Sequence, residues 1–145
     1  MRQALAAIVF VAISAPAWAQ MTPEGLWRNI DDKSGEAKAE IRIQGNSAGV
    51  LTGVLEKRLA KDAKPDDLCK ECSDERKNQP ILGLEIIRGA QKAEGKDVGE
   101  GGKIRGQQNG RNYALRLTPI EGGKKLEVRG SLGPFGRTQT WVRVQ

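Results

Sequence analysis

Lys38-Ala39-Glu40-Ile41-Arg42-Ile43-Gln44 alternates between polar and apolar residues without a break. Successive side chains of a β-strand point to opposite faces, so this period of two describes a strand with one wet and one buried face. Outward from it, similar runs recur between Gly, Asn, Asp and Pro. Strands are predicted over Gly25 to Ile30, over Lys38 to Gln44, and over Gly49 to Lys57 after the turn-forming Gly45-Asn46-Ser47. Ile81 to Arg88 is a fourth, apolar on both faces except for Glu85 and Arg88, and Gly102 to Gly106 is a short fifth. Asn109-Gly110 matches the two-residue turn of a hairpin, in which both residues need positive φ. After it, Arg111 to Thr118 places Tyr113, Leu115 and Leu117 on one face. Gly122-Gly123 reads as another turn before Lys124 to Gly130, and Thr138 to Val144 is the eighth strand.

Eight short strands in meander order predict an all-β fold, an eight-stranded up-and-down antiparallel barrel. Closure removes the exposed edges that an open sheet must protect. A two-sheet sandwich is the competing arrangement. The nearest approach to a helical period is Leu59 to Asp67, which Pro65 interrupts. Arg58 to Gln79 is the one long connection; loops of such length are usually functional lids or disordered.

At the N-terminus, Met1-Arg2-Gln3 precedes an apolar run from Ala4 to Ala15, a break at Pro16, and the small-x-small Ala17-Trp18-Ala19. That is the pattern of a secretory signal peptide over residues 1–19 with cleavage before Gln20. The run is too short for a membrane span, which needs about twenty apolar residues. The expectation is an exported, periplasmic protein with a single domain from 20 to 145 and no transmembrane segment in the mature chain. Its formal charge is about +5, the +6 of the full chain less Arg2. Lys and Arg are spread among Asp and Glu rather than clustered with aromatics, which argues against nucleic acid as a partner. Removing Phe10 and Trp18 leaves Trp27, Tyr113, Phe135 and Trp141 as the aromatics.

Cys69-Lys70-Glu71-Cys72 holds both cysteines. In an oxidising compartment the pair reads first as a disulfide that stiffens the long loop. Redox catalysis ranks second, because Asp66, Asp67 and Glu71 disfavour a thiolate and no helix N-terminus is evident to stabilise one. A metal site ranks last, since only carboxylates could supply the remaining ligands. The chain contains no histidine. That excludes Ser-His-Asp and Cys-His nucleophilic triads. Asp31-Asp32 and Asp66-Asp67 lie in turn-like sequence, and Gly99-Glu100-Gly101-Gly102 lacks the Lys-Ser/Thr of a phosphate loop. No catalytic residue, metal or cofactor is expected, and the protein is not expected to be an enzyme.

Gly25-x-Trp27 on the first strand and Arg143 after Trp141 on the last resemble the signature of lipocalin-like barrels. There a Trp plugs the closed end and an Arg packs over it, as a guanidinium does on an indole face. More broadly, Pro23-x-Gly25-x-Trp27, Cys69-x-x-Cys72 and Gln79-Pro80-x-x-Gly83-x-x-Ile86-x-Arg88-Gly89 resemble the family of exported bacterial proteins called domain of unknown function 2147. So do Gly101-Gly102-x-Ile104, Gly110-x-x-Tyr113, Leu126-x-Val128-Arg129-Gly130 and Gly136-Arg137-Thr138-Gln139-Thr140-Trp141-x-Arg143. The resemblance implies a lipocalin-like barrel in the periplasm, with no established activity. The chain departs from the family at Gly106-Gln107, where related sequences carry Asp-Pro, and at Ser131, where an aromatic is common. It departs again at Val98 and Glu100, near the position of a frequent tryptophan. A pocket built from those aromatics would be altered or more open here.

The leading expectation is a binding protein for a small or lipid-like ligand, with Tyr113 and Phe135 as candidate ligand-binding residues. A filled barrel acting through its outer surface, in an envelope interaction or stress protection, is the second. In that case Gly130 to Gly136 would present Phe135 at an exposed tip. A thiol-disulfide protein using Cys69 and Cys72 is the third.

Overall fold

The computed structural model describes residues 21–93, 97–106 and 109–145. The proposed signal peptide lies outside the described residues. Eight strands form a closed antiparallel barrel in sequence order. They are β1 (Gly25–Ile30), β2 (Ala37–Gly45), β3 (Val50–Arg58), β4 (Glu85–Lys92), β5 (Gly99–Arg105), β6 (Asn112–Ile120), β7 (Lys125–Leu132) and β8 (Phe135–Arg143). A single 3-10 turn, Glu121–Gly123, joins β6 to β7. The barrel closes where Trp27 of β1 pairs with Arg143 of β8.

The alternation of β2 works as its sequence requires. Ala39, Ile41 and Ile43 are buried, while Lys38, Glu40 and Arg42 face outward. The same parity on the other strands brings Trp27, Leu51, Leu55, Ile87, Leu115, Leu117, Leu126, Val128 and Trp141 into one core. No helix among the described residues is long and apolar enough to cross a membrane.

Several boundaries differ from the sequence reading. The fourth strand is Glu85–Lys92, not Ile81 to Arg88. Ile81 to Leu84 instead makes a turn: the Ile81 N–H donates to the Asp67 carbonyl and the Leu84 N–H to the Ile81 carbonyl. The apolar character that suggested a strand serves to bury Leu84 against the cysteine loop. The glycine-rich Gly99 to Gly102 is part of β5, with a register shift between Glu100 and Gly102 that absorbs the irregularity. The last strand begins at Phe135, because Leu132 and Phe135 pair directly around Gly133-Pro134. Leu59 to Asp67 forms turns rather than a helix.

Asn109-Gly110 is not a two-residue hairpin turn. β5 ends at Arg105 and β6 starts at Asn112. Gly110 has φ 64°, and a Cβ placed on it would run into the backbone carbonyl of Glu71. The glycine is therefore required by a tertiary contact: the cysteine loop lies directly on this turn.

That loop, from 59 to 84, is held by its own hydrogen bonds. Leu68 and Pro80 form an isolated antiparallel bridge. The Cys69 N–H donates to Gln79 O at 2.8 Å, and the Asn78 N–H donates to Cys69 O at 2.9 Å. Arg58 pairs with Asp67 at 2.7 Å. Buried Arg76 reaches Asp74, the Glu85 carbonyl at 2.8 Å and Asn112 Oδ1 at 2.8 Å, which ties the loop to the first residues of β4 and β6.

Candidate functional site: the open pole of the barrel

Up-and-down order gives the barrel two different poles. One carries the start of β1, the end of β8 and the connections after β2, β4 and β6. The other carries the connections after β1, β3, β5 and β7, including the long loop.

The first pole is shut. Trp27 is fully buried, and its Nε1 donates to Pro23 O at 2.8 Å. The Arg143 guanidinium carbon sits 4.1 Å from the centre of the Trp27 ring. Arg143 also donates to Glu24 O at 2.9 Å, Thr22 O at 2.7 Å and the Gly123 carbonyl. A charged group so placed ties its own strand to two other chain segments by charge-assisted bonds while covering an apolar face. Gly25 is where Arg143 needs room, since a Cβ there would meet its guanidinium and the Gln145 carbonyl.

The second pole is open and hollow. A cavity of about 370 Å³ is lined by Asn29, Ile86, Ile104, Arg105, Tyr113, Val128, Gly130, Phe135, Gln139 and Trp141, with Asp31 and Arg137 among its other residues. Both candidate ligand-binding residues, Tyr113 and Phe135, line it. Tyr113 lies on the inward face of β6, and its hydroxyl accepts a bond from Asn109 Nδ2 at 2.6 Å. Phe135 is 79% exposed; with Leu132 it forms an apolar lip at the start of β8.

Deeper in, Gln139 Oε1 accepts from both Asn29 Nδ2 at 3.0 Å and Trp141 Nε1 at 3.2 Å. This small polar cluster leaves two kinds of chemistry side by side, an apolar wall of Ile104 and Val128 and a hydrogen-bonding floor. Gly130 contributes empty space. A Cβ there would lie 3.3 Å from Tyr113 Cβ and 3.5 Å from an Ile104 methyl, so a side chain would extend into the cavity.

The rim is charged. Arg137 pairs with Asp32, whose carboxyl this partner holds below its usual range. Asp31 Oδ1 accepts from the backbone N–H groups of Lys33 and Ser34, which lower its pKa. Arg105, the last residue of β5, is 4% exposed. Its Nη1 donates to Gly106 O at 3.1 Å, and its Nε has no partner among the described residues. Burial is the main cause of its lowered pKa, followed by the nearby charges of Arg76 and Arg58.

Cys69 and Cys72 are joined in a disulfide. Their exposures are 2% and 1%, and both residues belong to the core cluster that includes Leu84 and Ile86. Burial withdraws them from an attacking thiolate, which favours the structural role over the redox one. Closing so short a loop stabilises by about 2 kcal/mol on the chain-entropy relation. Replacing both cysteines by alanine is therefore expected to lower stability by about that amount, read from urea unfolding with the m-value unchanged. A loss beyond about 4 kcal/mol would mean that the bridge organises the barrel itself.

The sequence reading missed Asn29, Gln139 and Arg105. For the first two a signal existed. Asn29 has the parity of Trp27 on β1, and Gln139 that of Trp141 on β8, so each is a polar residue on the inward face of a barrel strand. Arg105 had no such signal, because its burial depends on the rim and the loop.

Residues 25–143 match the family described as an uncharacterized protein conserved in bacteria, DUF2147. The chain belongs to this family. Among solved structures it is similar to protein HP1028 from Helicobacter pylori, described as belonging to the lipocalin family. The TM-score is 0.69 at 19% identity, over 87% of this chain and 85% of that one. The likeness establishes the lipocalin-like barrel fold. Comparison with curated proteins finds no match.

Proposed function

We propose that this protein is a periplasmic binding protein that holds one small, largely apolar molecule in the open half of its barrel and catalyses no reaction on it. The observation that carries this reading is the 370 Å³ cavity at the pole opposite the Trp27 plug. Ligand sites of small molecules are concave, mostly apolar and supplied with a few placed polar groups. Ile104, Val128 and Trp141 provide the apolar wall, and Asn29 and Gln139 the polar floor. At about 30 Å³ for each water displaced, the space corresponds to roughly a dozen waters, which suits a molecule of similar heavy-atom count. The exposed Phe135 and Leu132 fit the same reading as the lip that an apolar molecule crosses. A signal-like N-terminus and a buried disulfide are the grounds for the periplasm.

The test is calorimetric titration with 1-octanol. The wild-type protein is expected to bind one molecule, and Gly130→Leu, which fills the cavity, to weaken binding at least tenfold with an unchanged circular dichroism spectrum. Equal binding by the filled variant, or none by the wild type, would overturn the reading in favour of a barrel that works through its outer surface.

A further inference from the structure

Four carboxylates around the open pole are already committed. Asp32 serves Arg137, Asp67 serves Arg58 and Asp74 serves Arg76. Asp31 accepts two backbone N–H groups of its own turn. Arg105 lines the same cavity, is more than nine-tenths buried, and has no ion pair among the described residues. Among the described residues its Nε is a buried donor without an acceptor. Taking a guanidinium out of water without a counter-ion is costly, and arginine does not escape the cost by losing its proton at neutral pH. The two neighbouring arginines make the position less favourable still. An unsatisfied buried donor at a cavity wall calls for an explanation.

We propose that the cavity takes an amphiphile with a carboxylate headgroup, and that Arg105 is its counter-ion. The proposal rests on the ligand-binding reading above and specifies the class of molecule. A guanidinium matches a carboxylate with two parallel N–H···O bonds, and the unpartnered Nε belongs to one such donor edge. The apolar portion lies toward Val128 and Trp141, and the charged end stays at the rim with Arg105. Asn29 and Gln139 supply no charge, so they do not compete for the headgroup.

The experiment compares octanoate with 1-octanol, which differ chiefly in the charged end. The wild-type protein is expected to bind octanoate at least tenfold more tightly than 1-octanol. Arg105→Met removes the charge at similar length. It is expected to abolish that preference, bringing the ratio of octanoate to 1-octanol affinity to about one, and to hold or raise the melting temperature, because the variant no longer buries an unpaired cation. Arg105→Lys keeps the charge without the fork and is expected to retain part of the preference. If the methionine variant does not fold, the lysine variant and the wild-type ratio carry the test. Equal or tighter binding of the alcohol by the wild type, or an octanoate preference that survives Arg105→Met, overturns the assignment of Arg105 while leaving a binding barrel intact. Failure of both molecules to bind the wild type overturns the binding reading as well.

Discussion

Trp27→Ala is expected to destabilise the protein by about 4–5 kcal/mol. Truncating a buried tryptophan costs about 3–5 kcal/mol through lost transfer energy and the cavity left behind. Here the ring is fully buried, and it is also the surface on which Arg143 lies at 4.1 Å. Without it, Arg143 faces an apolar void while still bound to the Thr22, Glu24 and Gly123 carbonyls. A domain of this size has about 5–15 kcal/mol in total, so the loss consumes a large share of the margin. Urea unfolding followed by circular dichroism measures it. A change below about 2 kcal/mol would mean that the plug is not what holds β1 to β8.

Gly110→Ala is the second large effect, and it acts at the opposite pole. A non-glycine residue at φ 64° costs about 1–2 kcal/mol. The added methyl also meets the Glu71 backbone, which cannot rotate aside as a side chain could. The loop must lift, and its buried disulfide comes out with it. We expect a loss of about 2–4 kcal/mol from the strain and the forfeited packing together. Reduction of Cys69–Cys72 by dithiothreitol should be at least tenfold faster than in the wild type. Unchanged reduction would show that the loop does not need its seat on Gly110.

These two substitutions also mark where the sequence was readable and where it was not. Gly25, Trp27 and Arg143 are recognisable because they resemble the signature of lipocalin-like barrels, to which closure gives a physical sense by bringing the first and last strands together. The β2 run was legible on its own terms: each residue reports its own face. Gly110 was misread because a positive φ has two explanations, a tight hairpin or a close approach by another segment. Only the loop's position distinguishes them. Ile81 to Leu84 failed similarly, since apolar residues packing under a loop look like a strand. Arg105 was invisible because its standing without an ion pair among the described residues depends on where Asp31, Asp67 and Asp74 spend their charges.

The choice between a hollow and a filled barrel turned out to differ along the axis. Near the chain ends, Ile41, Ile43, Leu51, Leu117, Leu126 and Trp27 fill the interior. Toward the long loop, Gly130, Val128, Asn29 and Gln139 leave space. Residue volume at inward positions carries this information, but it can be read only once the strands are placed in register.

The clasp made by Arg143 has a topological consequence. The Leu26 N–H donates to the Gln145 carbonyl at 3.0 Å, so residue 145 lies beside the first strand, at the pole away from the cavity. A flexible tether fused after residue 145 would hang from the sealed base and leave the mouth unobstructed. The same adjacency makes the barrel a natural subject for circular permutation: a few residues could join Gln145 to the segment before Gly25, with new ends opened in an exposed turn such as the one around Gly35.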